Sequence, residues 1–173
     1  MTDDELELDV HALLEQRAAQ LARKVDDGID REVVYEVAVV QVAGETFGIA
    51  ADALREIVIK PPVAELPGVS SPLCGIVHVR GELMSVIGTA DLLNLQGECD
   101  EQQLAVLDGP EGPVGLLIDH VIGVRRVHAD ELAPSFANQD ARTHAVKAMT
   151  NDFVAILDTA TLLGDPRLIV NHA

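Results

Sequence analysis

The chain has 173 residues, 48% of them hydrophobic, enough to bury a core for one medium domain or two small subdomains, which excludes a disordered tail. Its formal net charge of -17 repels both the nucleic-acid phosphate backbone and anionic membranes, with no Lys/Arg cluster to offer local relief. Aromatic residues make up only 2%, too few for the stacking platforms that single-stranded nucleic acids need, so Val, Leu, Ile and Ala must fill the core.

The amino terminus carries Asp3, Asp4 and Glu5 where a secretory signal would carry basic residues, so a cytoplasmic location is expected. From Leu6 to Lys24 the apolar residues Leu6, Val10, Leu13, Leu14 and Leu21 recur at helical spacing. Acids lie early and Arg23 and Lys24 late, as the helix dipole favours, which predicts an amphipathic helix. Asp26, Asp27, Gly28 and Asp30 then supply turn chemistry, so residues 1–34 read as helix plus linker and the main domain as residues 35–165. Residues 166–173 are left as a tail.

Within the main domain the signals are β. Val37, Val39, Phe47 and Ile49 flank a Gly44-Glu45 turn; Gly75 to Val79 and Leu83 to Ile87 flank Arg80-Gly81-Glu82; Leu104, Val106, Val114, Leu116 and Ile118 flank Asp108 to Gly112. Short strands joined by tight turns predict small barrels. The longest apolar runs, such as Val37 to Val42, are strand-sized and far short of the roughly 18 residues a membrane span needs.

An internal repeat fixes the architecture more firmly than any single motif. Ser85-Val86-Ile87-Gly88-Thr89-Ala90-Asp91-Leu92-Leu93 aligns without a gap on Ala155-Ile156-Leu157-Asp158-Thr159-Ala160-Thr161-Leu162-Leu163. Phe47-Gly48-Ile49-Ala50-Ala51-Asp52 resembles Val114-Gly115-Leu116-Leu117-Ile118-Asp119, and Ile57 then falls where Val124 falls. The two offsets are unequal, as a loop insertion within a duplicated unit would make them. Two intertwined halves follow, roughly 35–98 and 99–165, each reading strand, turn, strand, connection, strand, then strand, turn, strand, short helix. The expected fold is mainly β: two similar five-stranded SH3-like barrels with short helices, plus the N-terminal amphipathic helix.

The segment from Gly75 through Val79-Arg80-Gly81 to Ile87 resembles the signature of CheW-like domains, in which an Asn-Leu-Arg-Gly turn precedes a Pro-Val-Ile-Asp-Leu strand end. Tyr35 to Ile49 is similar to that family's opening hairpin, Ala53-Leu54-Arg55-Glu56-Ile57 to its Val-x-Glu-Ile element, and Leu66-Pro67-Gly68 to its Pro-containing loop. His78 and Val79 stand in place of the family's Asn-Leu, Ser85 in place of its Pro, and Gly88 and Ala90 in place of an Asp and an Arg, so the chain reads as a divergent member. Gly88 forgoes a carboxylate that would tie down the following turn, whereas Asp158 keeps one in the second half.

The resemblance implies two side-by-side barrels and a non-enzymatic adaptor that couples chemoreceptors to a CheA-type histidine kinase. It would bind the kinase regulatory domain and the receptor's cytoplasmic tip, be recruited from the cytoplasm to membrane receptor arrays, and need no cofactor. By the same resemblance, Arg80 faces the receptor groove, where a guanidinium suits bidentate pairing with carboxylates. Glu56 pairs with Arg80 or with a basic receptor residue, Gly75 gives close backbone approach, and His78 lies beside them in the signature. Leu54, Ile57 and Ile76 would floor a groove for a receptor helix, with core packing the plainer account of Ile57 and Ile76.

Each of these residues also has a plain structural reading: a solvated turn Arg, a surface Glu, a strand-entry Gly. Two rival functions stand beside the adaptor: a CheW-like scaffold in pilus, gliding or polar-localisation signalling, and a small-molecule-binding β-barrel enzyme. The enzyme demands a pocket with converging polar groups and a perturbed ionisable residue. Neither the six histidines nor Cys74 and Cys99 show metal-ligand or disulfide spacing, and Asp108-Gly109-Pro110-Glu111-Gly112 is a hairpin turn rather than a phosphate loop.

Overall fold

The computed structural model describes residues 31–134 and 144–169. The amphipathic helix expected over Leu6 to Lys24 lies outside the described residues. Among the described residues ten strands run in chain order: β1 (Val33–Val42), β2 (Glu45–Ala50), β3 (Leu54–Ile59), β4 (Leu73–Val79), β5 (Glu82–Gly88), β6 (Gln103–Gly109), β7 (Gly112–Ile118), β8 (His120–His128), β9 (Val146–Met149) and β10 (Ala155–Leu157). Helix α1 (Thr89–Leu92) follows β5, and α2 (Thr159–Leu163) follows β10.

The strands form two five-stranded sheets, ordered β8-β1-β2-β10-β9 and β3-β6-β7-β5-β4. Replacing each strand of the first half by its repeat counterpart turns the second order into the first, so the duplication is complete at the level of topology. Neither sheet is built from one half alone: β1 and β2 join three strands of the second half, and β6 and β7 join three strands of the first.

The registers repeat as well. Ile57 opposes Ala105 and its counterpart Val124 opposes Ala38, while Leu54 opposes Leu107 and Val121 opposes Val40. The parallel pairs match too, Ser85 with Val114 and Ala155 with Phe47. Even the irregularities coincide: Arg55 is the extra residue of a bulge in β3 and Ile122 the extra residue of a bulge in β8, each at the same place in the repeat.

Alternation along the strands sorts the apolar side chains into three clusters. Val37, Val39, Val127, Val154 and Ile156 fill one barrel, and Leu104, Val106, Val86, Val77 and Met84 the other. The opposite faces of the same strands, with Val40, Ile49, Ile87, Leu107, Leu116 and Leu157, meet in a joint layer that α1 and α2 complete through Leu92 and Leu162. Among the described residues Phe47 is the one aromatic in that buried layer, so branched aliphatics carry the core, each fully buried Leu or Ile adding about 1.5–3 kcal/mol of transfer free energy.

Each sheet closes on itself through the chain that follows its edge strand β3 or β8. In the second sheet Ala64 exchanges backbone hydrogen bonds with Ile76 of β4, at 2.8 and 2.9 Å. In the first, Ala133 donates to Met149 and Asn151 to Glu131, both at 2.8 Å, around a bridge between Leu132 and Thr150. These bridges turn two open sheets into two barrels.

The two helix starts differ. Asp158 caps α2, its Oδ1 accepting from the Thr161 N–H at 3.2 Å, while Gly88 gives α1 no side-chain cap. The Asp91 carboxylate stands beside Gly88 instead, held by the Ser71 hydroxyl at 2.8 Å.

Candidate partner-binding site

The edges of the second sheet are β3 and β4, and the β4–β5 turn hangs between them. That turn is two residues long, with Arg80 at φ +48° and Gly81 at φ +90°, the type I′ pattern whose twist suits a hairpin. Gly81 adopts this conformation without cost; Arg80 does so at a cost of about 1–2 kcal/mol. An arginine held in a conformation that favours Asn or Gly points to a task for its side chain.

Arg80 Nε donates to Glu56 Oε2 on β3 at 2.7 Å. The Glu56 side chain is 24% exposed and the Arg80 side chain 76%, so the carboxylate fixes the near side of the guanidinium and leaves its outer face in water. Among the described residues nothing else engages the Arg80 Nη groups. Exposed ion pairs of this kind contribute at most about 1 kcal/mol to stability, so the pairing serves orientation more than folding.

A second ion pair crosses the same seam. Arg55 Nη1 donates to Glu82 Oε2 at the start of β5 at 2.6 Å, and Arg55 Nε donates to Asp108 Oδ1 on β6 at 2.9 Å. The bulge makes this possible. In a regular strand Arg55 and Glu56 would point to opposite faces; with Arg55 unpaired in the ladder to β6, both neighbours reach the β4–β5 hairpin. The Asp108 hydrogen bond and the two nearby carboxylates hold the Arg55 pKa above its ordinary value.

The other expected residues divide between surface and interior. His78 is exposed on β4 and faces Leu83 across the hairpin; Leu83 is itself exposed. Leu54 and Ile57 are half-buried and pack against the joint layer, and Ile76 is half-buried in the strand that Ala64 closes. Gly75 is buried at φ +147°, and an added Cβ would run into the Ala64 carbonyl, so barrel closure alone demands a glycine there. Arg80 and Glu56 are thus brought into contact, while Gly75 serves the closure of the same barrel.

Arg55, Glu82 and Asp108 were missed by sequence reasoning. Arg55 lies 27 residues from Glu82 and 53 from Asp108, and no local pattern announces such pairs.

The other barrel has a seam of its own. Arg125 of β8 donates through Nη1 and Nη2 to the two carboxylate oxygens of Asp152 in the β9–β10 turn, at 2.6 and 3.1 Å, and through Nη2 to Glu131 at 2.9 Å. Glu131 Oε2 also accepts from the His128 N–H at 2.8 Å, and that bond, then Arg125, holds its carboxyl below the ordinary range. The Arg125 guanidinium, aided by Thr150, pulls the Asp152 carboxyl down to about 2. With Asp130 and Asn151 these groups line an open depression of about 380 Å³. Its principal charges, Arg125, Asp152 and Glu131, are paired with one another. Beside it Phe153, at φ +65°, is 79% exposed. Among the described residues no three His, Cys, Asp or Glu side chains converge on a metal site, and no helix is long and apolar enough to cross a membrane.

Known proteins match this architecture. The chain is 25% identical over 131 residues to the chemotaxis protein CheW of Bacillus subtilis (strain 168), a match spanning 72% of this chain and 84% of that protein. The crystal structure of the scaffolding protein TtCheW from Thermoanaerobacter tengcongensis superposes with a TM-score of 0.66 at 18% identity, over 77% of this chain and 94% of that one, and shares its fold. Residues 36–167, which take in all of both sheets except the first three residues of β1, match the family described as the CheW-like domain, and the chain belongs to that family.

Proposed function

We propose that the chain is a non-enzymatic adaptor that couples chemoreceptors to a CheA-type histidine kinase, working in the cytoplasm at membrane receptor arrays. The observation that carries this is the Arg80–Glu56 pair. A solvated turn arginine would not need a strained backbone and a half-buried carboxylate to aim it, whereas one that must meet a partner carboxylate gains from being oriented beforehand. The β4–β5 hairpin beside it carries Arg80 at its turn and exposed His78 and Leu83 opposite one another on its strands. The kinship with CheW proteins supports the adaptor over an enzyme, as does a depression whose charges are internally paired.

Titration with the kinase regulatory domain and with a receptor-tip fragment from the same genome tests the reading. Binding to both is expected, and Arg80→Glu should weaken the receptor-tip complex by about tenfold or more while the fold is retained, since a repulsive charge replaces an aimed attractive one. Absence of binding to either partner by the wild-type chain would refute the adaptor role, and unchanged receptor affinity in the variant would remove Arg80 from the site.

A further inference from the structure

We propose that Arg55 is a specificity-determining residue of this face: by neutralising Glu82 and Asp108 it lets Arg80 receive an acidic segment of the receptor tip. The inference rests on the adaptor reading above and deepens it. Three carboxylates, Glu56, Glu82 and Asp108, gather around the β3 edge and the β4–β5 hairpin, against two guanidinium groups, Arg55 and Arg80. On a chain of net charge -17 an acidic partner meets general repulsion, so local compensation decides whether Arg80 is effective. Arg55 engages two of the three carboxylates at once. Without it, Arg80 would stand alone against three.

The bulge ties the effect to this face. Its counterpart in the other barrel places exposed Ile122, which carries no charge, at the same position, so the bulge itself supplies a guanidinium in the second sheet and none in the first. Arg55 is also not needed to close its barrel, because Ala64 and Ile76 already bridge the sheet edge through backbone hydrogen bonds. Its side chain is free to serve charge balance.

The test is a titration of the full chain with a chemoreceptor cytoplasmic-tip fragment at low salt, using the wild type, Arg55→Ala, the double variant Glu82→Gln with Asp108→Asn, and the triple variant combining all three. Arg55→Ala should weaken binding about fivefold, with the loss shrinking as salt rises, and the triple variant should return to within about twofold of the double variant, because nothing remains for Arg55 to screen. A merely structural seam predicts a double variant weakened as Arg55→Ala is, since it loses the same ion pairs, whereas screening predicts a double variant at least as tight as the wild type. Unchanged affinity in Arg55→Ala, or a triple variant as weak as Arg55→Ala, would overturn the proposal while leaving the adaptor reading standing. A wild-type chain that ignores the tip fragment would overturn both.

Discussion

The two barrels share strand order, register and bulge positions, yet they close their seams with different chemistry. In the barrel of β3 to β7, the closing loop comes so near β4 that residue 75 must be glycine, and two arginines reach across to separate acids. In the other barrel, Ala148 occupies the place of Gly75, one arginine holds two acids, and Lys147 rests over the Tyr35 ring, 4.7 Å from its centroid. The duplication therefore fixes the frame, while the two seams, like the two helix starts, have diverged. One seam leaves an oriented guanidinium in water; the other spends its guanidinium internally.

The largest expected effect tests whether the frame is one unit. Leu107 is fully buried in the joint layer that both barrels share, so Leu107→Ala should cost about 2–5 kcal/mol by lost transfer energy and a residual cavity. Because that layer belongs to both barrels, chemical unfolding followed by two probes, one in each barrel, should remain a single transition displaced to lower denaturant. Two separated transitions would show that the barrels fold independently and that the shared layer is only a contact surface.

Next in size is the glycine contrast. Gly75→Ala should destabilise by about 2–3 kcal/mol, since the new Cβ meets the Ala64 carbonyl and the backbone at φ +147° strains a side chain. The counterpart change Ala148→Gly should cost only about 1 kcal/mol or less, through backbone entropy. Equal costs, measured as shifts in unfolding midpoint, would break the claim that only one barrel draws its closing loop this close.

The strands, hairpins and repeat were legible because they depend on local alternation and on turn residues. Gly44, Gly81 and Gly112 lie where the chain reverses, although the first turn centres on Ala43-Gly44, one residue earlier than the pattern suggests. The equality of the Ile57–Ala105 and Val124–Ala38 pairings could be inferred once the repeat was aligned. Which sheet each strand joins could not, since parallel partners such as Ser85 and Val114 are set by tertiary packing rather than by any local signal. At the site, the Arg80 turn is readable, and Arg80 is one of the two partners the sequence offers Glu56. The role of Arg55 was not readable, because a single extra residue in β3 redirects its side chain, and a bulge at an Arg-Glu dipeptide leaves no mark in the sequence.

The smallest effect concerns acid and separates the seams by pH. Asp152 has its carboxyl lowered from 3.8 to about 2 by Arg125, so the folded chain holds this group charged where the unfolded chain would protonate it. A depressed carboxyl stabilises at pH values above its unfolded pKa, and that contribution fades as pH falls from about 4 towards about 2. The full shift would correspond to about 2.5 kcal/mol, but the Asp152 side chain is 59% exposed and water screens the pair, which holds the loss to about 1 kcal/mol or less. Urea unfolding of the wild type and Asp152→Asn at pH 5 and pH 2.5 measures it. The variant should be the less stable of the two at pH 5 and nearly level with the wild type at pH 2.5. A gap that stays constant across this range would mean that Asp152 acts through its turn hydrogen bonds rather than through its charge, and the contrast between the seams would then be one of geometry alone.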